Sequence, residues 1–360
     1  MKTNHSYAII LAGGRGTRFW PRSRKRTAKQ VLNFFGERSL IQQTVDRLKP
    51  LVDPKNVWII TNTFLRDTIA KQLPEVPKAQ IIAEPAQRNT APAIGLVAEI
   101  IHRSDPDAVL GVFPADHIIK KPSRFLRLVK PAYKAASLGR ICVLGIKPRW
   151  AETGYGYIEF PGGVEEGSTD AVGIRRFVEK PPLEKAKEYV AAGSYYWNAG
   201  MFFWQSRVVL EAMKRFLPKT AGLLAQLPAF GSKNWNTQLA ELFPLTENIS
   251  IDVGVLERAE GVHGIACDEF GWNDVGSWNA VYELEAKSPG VNVARTADII
   301  TDSANGCYVD VPKKLVALVG VKDLVIVETD DALLIADRNS AQNVSNIVKA
   351  LERAKREELL

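Results

Sequence analysis

Cysteine is scarce and scattered: the chain has three, Cys142, Cys267 and Cys307. Their odd number argues against a disulfide framework, and no pair has metal-ligand spacing. Each lies in an apolar segment and reads as a small buried hydrophobe. Long hydrophobic runs are lacking as well; none approaches the roughly 20 residues that a membrane-spanning helix needs. Low-complexity segments are missing. The opening stretch Met1–Ser6 is polar and leads straight into a strand-like run, without the apolar core of a secretory leader. The expected location is the cytoplasm.

What is present is an ordinary globular composition, 46% hydrophobic and 24% charged, in a chain of 360 residues. That length exceeds the size at which one core stops growing, so a large domain with an appendage is expected. The net charge is +7, and Arg15, Arg18, Arg22, Arg24, Lys25, Arg26 and Lys29 crowd one early stretch. No aromatic stacking pattern, zinc spacing or recognition helix accompanies them. The basic excess therefore favours a polyanionic small molecule over nucleic acid.

Strand-like and helix-like segments alternate along the first half. Tyr7–Leu11, Val57–Thr61, Gln80–Ala83, Ala108–Phe113 and Ile141–Ile146 are short and largely apolar. Between them Ser39–Leu48 (with Ser39 as its cap), Phe64–Leu73, Ala91–His102 and Phe125–Ser137 carry helical spacing. This alternation predicts an α/β domain with a mostly parallel sheet covered on both faces. Ligands in such sheets bind beyond the carboxyl ends of the strands. The middle is mixed: Gly154–Phe160 and Gly173–Val178 alternate like half-exposed strands, and Met201–Trp204 follows a turn-like Asn198-Ala199-Gly200. Arg207–Phe216, Lys219–Gln226 and Ser277–Ala286 read as helices. From about Val291, short Val-, Ile- and Leu-rich runs between turn residues indicate a small all-β unit, a stacked coil of strands. An amphipathic helix over Ala341–Leu360 closes it. Ser288-Pro289-Gly290 interrupts the pattern, so the expected domains are 1–288 and 289–360.

The densest chemistry lies in Ala12-Gly13-Gly14-Arg15-Gly16-Thr17-Arg18, followed by Lys29. Glycines after a strand either let backbone N–H groups turn toward a phosphate or make a plain turn. Arg18 and Lys29 suit the outer phosphates and a pyrophosphate leaving group. A dinucleotide fingerprint wants Gly where Arg18 stands, which disfavours a nicotinamide oxidoreductase, and the Gly-Lys-Ser/Thr of a Walker loop is absent. Asp116, at a strand end, either holds Mg²⁺ through its carboxylate or caps a turn. Asp274 either joins that metal or belongs to the cap of the following helix. Glu179-Lys180-Pro181 offers a carboxylate for sugar hydroxyls and an ammonium for a phosphate, or forms an exposed ion pair. The loop from Glu84-Pro85 to Asn89-Thr90 offers the acceptors and donors that a guanine edge requires, or caps a helix.

Gly13–Gln30 resembles the opening motif of sugar-nucleotide pyrophosphorylases: Gly-Gly-x-Gly-x-Arg-Leu, then Pro-Leu-(Ser/Thr), then Pro-Lys. Phe19, Arg22 and Ala28 stand where that motif has Leu, Leu and Pro. Arg22 is expected to add charge near the phosphates, and Ala28 to relax the backbone before Lys29. Pro114-Ala115-Asp116-His117 and Trp272-Asn273-Asp274-Val275-Gly276 resemble the two metal-binding segments of the family, which implies Mg²⁺ held by Asp116 and Asp274. His117 is then a neighbour that positions the turn. Glu179-Lys180 resembles the sugar-phosphate motif, with the Lys on the phosphate and the Glu on hydroxyls. The segments around Gly156 and Asn198 are similar to the walls of that pocket, implying backbone contact from Gly156 and the amide of Asn198. Ala83–Ile94, Ser250–Val253 through Glu257-Arg258, and Val316–Asp337 are similar to the branch that joins GTP to mannose 1-phosphate.

The resemblance implies a Rossmann-like nucleotidyltransferase domain, a small left-handed β-helix-like C-terminal unit and a terminal helix. It implies a catalytic set of Arg18, Lys29, Asp116, Lys180 and Asp274. Ala12, Gly13, Gly14, Gly16, Thr17, Glu84, Pro85, Asn89 and Thr90 would hold the nucleotide. The implied partners are GTP and mannose 1-phosphate, with no nucleic acid or membrane, and a homodimer is allowed. Two rivals stand beside it: glucose 1-phosphate with UTP or dTTP, and a nucleotide-sugar-binding regulator without turnover.

Overall fold

The computed structural model describes residues 5–296 and 298–360; Met1–Asn4 of the polar opening stretch lie outside the described residues. Packing divides the chain into two compact units. One comprises the chain up to Gly13, Gln43–Ala115 and Ile119–Trp272; the other comprises Gly14–Gln42, Asp116–Ile118 and Asn273–Leu360. This differs from a single cut near residue 288, because the glycine-rich loop packs with the C-terminal segment.

The first unit is built on a ten-stranded sheet. Its strands are β1 (Ser6–Ala12), β2 (Val57–Asn62), β3 (Ile81–Glu84), β4 (Val109–Pro114), β5 (Cys142–Ile146), β6 (Tyr157–Glu159), β7 (Val172–Gly173), β8 (Arg176–Val178), β9 (Tyr195–Gln205) and β10 (His263–Cys267). They run in the order β3-β2-β1-β4-β9-β5-β10-β7, with β6 pairing β9 and β8. The ladders among β3, β2, β1 and β4 and that of β5 with β10 are parallel, whereas β9 runs antiparallel to β4 and β5. The apolar strands bury both faces, as parallel strands must. Ile9, Ile60, Leu110 and Val112 share a core with the helix Thr90–Ser104. Elsewhere Phe113 and Phe203 meet Phe125 and Tyr133 of the helix Pro122–Ser137 edge to face.

Asn198-Ala199-Gly200 is not a turn before a strand at Met201; it lies within the 11-residue strand β9. The register of β9 on β5 shifts between Asn198 and Phe202, and Gly200 has φ 67°. Asn-Ala-Gly is therefore an irregularity that bends a continuous strand, a role for which glycine is suited.

In the second unit the short strands alternate between two small sheets. β11 (Val293–Ala294), β13 (Tyr308–Asp310) and β15 (Leu324–Glu328) pair in parallel, and β16 (Leu333–Asp337) adds antiparallel to β15. β12 (Asp298–Asp302) pairs in parallel with β14 (Leu315–Val319). Successive strands thus coil, with Cys307, Val309, Val311 and Leu318 inside. The expected terminal helix stops early: it spans Val344–Arg353, Lys355 turns left-handed at φ 55°, and a short 3₁₀ turn covers Glu357–Leu359. All three cysteines are buried and free.

Candidate active site

The glycine-rich loop of the second unit is shaped by close approach. Gly16 has φ 61°, and a Cβ there would lie 2.6 Å from the Cβ of Lys29, so only glycine lets Lys29 lie against the loop. Thr17 opens a 3₁₀ turn through Phe19, closed by the Phe19 N–H donating to Gly16 O at 2.9 Å. Gln30 Nε2 donates to Gly14 O at 2.9 Å. Ala28 holds φ −64°, the value a proline ring imposes, so a proline would fit that backbone.

Lys29 is buried, 5% exposed. Its Nζ donates to Asp116 Oδ2 at 2.9 Å and to the carbonyl of Asp274 at 2.6 Å, and it stands 5.7 Å over the Phe19 ring. Burial pushes the Asp116 carboxyl up, but the charges of Lys29 and His117 and the Lys29 hydrogen bond outweigh it, so its pKa falls below the ordinary value. A carboxylate held ionised suits a divalent cation, which Mg²⁺ sites provide with one or two carboxylates plus phosphate and water oxygens. Among the described residues, no three His, Cys, Asp or Glu side chains form a metal cage; the candidate donors are Asp116 and Asp274. Arg18 is exposed and reaches Gly276 O at 3.4 Å. Arg18, Lys29, Asp116 and the Asp274 turn are thus brought together.

Arg22 departs from expectation. Its guanidinium is not free to add charge for a ligand: Nη2 donates to Asp310 Oδ1 at 2.5 Å. Arg15, Arg24 and Lys25 are likewise ion-paired, with Glu352, Asp331 and Glu357.

In the first unit, Ala12 is buried and its carbonyl accepts from Thr61 Oγ1 at 2.9 Å. A Cβ on Gly13 would stand 3.1 Å from Glu84 Oε2. Glu84 ends β3, and burial pushes its carboxyl up to about 8. Pro85 is exposed just beyond. Asn89, at φ 65°, caps the helix Thr90–Ser104 by accepting from the Thr90 N–H at 2.9 Å. The Thr90 hydroxyl accepts from the Ile251 N–H at 2.9 Å and so anchors the 249–251 segment.

That segment leads to the remaining residues. The Asn198 N–H donates to Gly156 O at 2.7 Å. Asn198 Oδ1 accepts from the Gly200 N–H at 3.0 Å, which points Nδ2 at Asp252 Oδ1, 2.9 Å away. A Cβ on Gly156 would fall 2.6 Å from Glu179 Oε2. Glu179 is largely buried and ion-paired with exposed Lys180, and its N–H donates to Glu257 Oε1 at 2.7 Å. Burial first, then the Glu179 charge, pushes Asp252 up to about 6. Gly156, Glu179, Lys180 and Asn198 thus stand together. Asp252 and Glu257 join them, two acids that the local sequence pattern does not single out. Three of the six non-glycine residues with positive φ among those described are Asn89, Lys180 and Val275, the last directly after Asp274. Strained backbone of this kind concentrates at functional sites.

A mixed, largely parallel sheet, a glycine loop after a strand, and a buried lysine ion-paired with a partly exposed aspartate fit a nucleotide-transferring class. The chain belongs to the nucleotidyl transferase family, whose pattern matches residues 7–289. Residues 297–351 match the MannoseP isomerase/GMP-like beta-helix domain, in keeping with the coil of strands. The mannose-1-phosphate guanylyltransferase ManC of Salmonella typhimurium (strain LT2) is 39% identical, the match covering 98% of this chain and 74% of that protein. The mannose-1-phosphate guanylyltransferase of Escherichia coli (strain K12) is 38% identical over the same shares. A crystal structure described as mannose-1-phosphate geranyltransferase from Thermus thermophilus matches with a TM-score of 0.86 at 33% identity, covering 97% of this chain and 99% of that one.

Proposed function

We propose that this nucleotidyltransferase joins GTP to α-D-mannose 1-phosphate, giving GDP-mannose and diphosphate. A phosphate oxygen of the sugar phosphate attacks the α-phosphorus in line, and the bond from that phosphorus to the β-phosphate oxygen breaks. The electron pair leaves with diphosphate, and no enzyme-bound covalent intermediate forms. Positioning and charge neutralisation supply the catalysis. Arg18 and Lys29 bind the outer phosphates, and the glycine loop with Ala12 and Thr17 cradles them. Lys180 holds the sugar phosphate, while Glu179, Asn198 and Gly156 bind hydroxyls. Glu84, Pro85, Asn89 and Thr90 form the base pocket. Asp116 and Asp274 would hold Mg²⁺, which neutralises phosphate charge when bound.

The observation that carries this reading is Lys29, locked between Asp116 and the Asp274 turn under the glycine loop. The names of the Salmonella and Escherichia relatives support the choice of GTP and mannose 1-phosphate. The matched spans 7–289 and 297–351 support a catalytic domain over 1–288 and a β-helical one over 289–360. No helix among the described residues is long and apolar enough to cross a membrane. We place the reaction in the cytoplasm, where GTP is made. The test is pyrophosphate release over GTP, UTP, dTTP and ATP crossed with mannose and glucose 1-phosphates, with and without Mg²⁺. Release with GTP and mannose 1-phosphate alone, and only with the cation, is expected. Preference for another pair, or binding without release, rejects the assignment.

A further inference from the structure

Among the described residues, Asp310 is the only acidic residue that is fully buried, 2% exposed. On β13 it shares a face with Tyr308, two residues back, while Val309 between them points into the coil. Tyr308 packs on Trp278 at 5.6 Å between ring centroids, and Trp278 Nε1 donates to the Trp20 carbonyl at 3.2 Å. Asp310 therefore faces the glycine-rich loop, and what it meets there is Arg22. Arg22 Nε is buried without a hydrogen-bond partner, so Asp310 is the one described acceptor for that guanidinium.

From Arg22 a short chain of hydrogen bonds runs into the loop. The neighbouring Ser23 donates through its N–H to Phe19 O at 2.9 Å and through Oγ to Arg15 O at 2.8 Å. Phe19 in turn closes the turn on Gly16, with Arg18 between them. Arg15, Arg24 and Lys25 pair with Glu352, Asp331 and Glu357, whose side chains are 38%, 50% and 69% exposed, against 3% for Asp310. Exposed pairs contribute little, whereas removing one member of a buried pair leaves the other uncompensated.

We propose that Asp310 is a positioning residue for nucleotide binding: by holding Arg22 it fixes the Gly16–Ser23 turn so that Arg18 and the loop N–H groups face the nucleotide phosphates. The β-helical unit thereby contributes to substrate affinity without touching substrate. The inference rests on the reading of this loop as the nucleotide site.

The experiment is a double-variant cycle of Asp310→Asn, Arg22→Gln and both together in the full chain. KM for GTP, KM for mannose 1-phosphate, kcat and melting temperature are measured for each. Asp310→Asn is expected to raise KM for GTP about tenfold while KM for mannose 1-phosphate stays within about twofold, since loss of a buried partner acts on the loop that it holds. The double variant should match Arg22→Gln alone. Glu357→Gln, an exposed partner, should change KM for GTP less than about twofold. A lower melting temperature with unchanged KM for GTP, an equal rise in both KM values, or fully additive effects would overturn the proposal. If Asp310→Asn does not fold, Arg22→Gln alone must show the same split, and its absence overturns it equally. Wild-type protein that releases no pyrophosphate from GTP with any sugar phosphate would instead reject the functional reading underneath.

Discussion

Glu84 ends β3 beside Gly13, mostly buried and with no described hydrogen-bond donor, and burial pushes its carboxyl up to about 8. A carboxylate that accepts the N1 and N2 hydrogens of guanine must be ionised, yet a group with that pKa is about one-tenth ionised at pH 7 and about nine-tenths at pH 9. On the proposed reading of Glu84 as part of the base pocket, GTP binding at neutral pH has to expel a proton. Apparent GTP affinity should rise about tenfold from pH 7 to pH 9, worth about 1.4 kcal/mol. Titration calorimetry in two buffers of different ionisation heat should register close to one proton released per GTP at pH 7. Glu84→Gln should lose that proton, keeping only the proton exchange and pH dependence of affinity that the nucleotide's own titration gives. The folded state carries a matching signature. Because the folded pKa lies above the ordinary value, the contribution of Glu84 to stability is complete below about pH 4.5 and erodes as pH rises through about 8. The loss is at most about 5 kcal/mol. Glu84→Gln should melt close to wild type at pH 4 and above it at pH 9. Identical pH profiles for the two proteins, in both binding and melting, would refute the reasoning.

Asp116→Asn should abolish turnover while circular dichroism remains native; full Mg²⁺-dependent activity in that variant would reject the metal assignment. Gly16→Ala forces a side chain to φ 61° and sets a Cβ 2.6 Å from that of Lys29. It should cost about 1–2 kcal/mol from the backbone alone, more from the overlap, and raise KM for GTP; an unchanged melting temperature would contradict it. Ala28→Pro suits the φ of −64° already present, and no described hydrogen bond uses the Ala28 N–H. It should stabilise by about 0.4–1 kcal/mol, seen as a higher urea midpoint at constant slope, and a lower midpoint would show that the loop needs freedom there.

The central strands were legible because each is a short, nearly unbroken apolar run ended by Gly, Asn or Pro. β10 escaped notice: His263–Cys267 contains a glycine and an alanine and gains its place from the ladder with β5, which local pattern does not reveal. The helix Leu183–Ala192 escaped for a different reason, since it buries only Ala186 and has no apolar stripe to read. In the site, Lys29, Asp116 and Asp274 could be proposed from strand-end and loop chemistry. The partner of Arg22 could not, because Asp310 lies 288 residues away and only folding pairs them. Asp252 owes its position to Asn198, 54 residues distant, and Asn198 to an irregularity that resembled a turn.

The reversed direction of β9 bears on how acceptor range can diversify. Trp197 pairs with Ile146, the last residue of β5, whereas Gln205 pairs with Val109, the first of β4. Connections leading into β9 therefore open at the rim where the parallel strands finish, and the connection leaving it opens at the opposite edge. On the proposed reading, lengthening or grafting the connection 147–156, which ends at Gly156 beside Asn198, should remodel what the pocket accepts, while comparable changes after Gln205 should leave selectivity untouched.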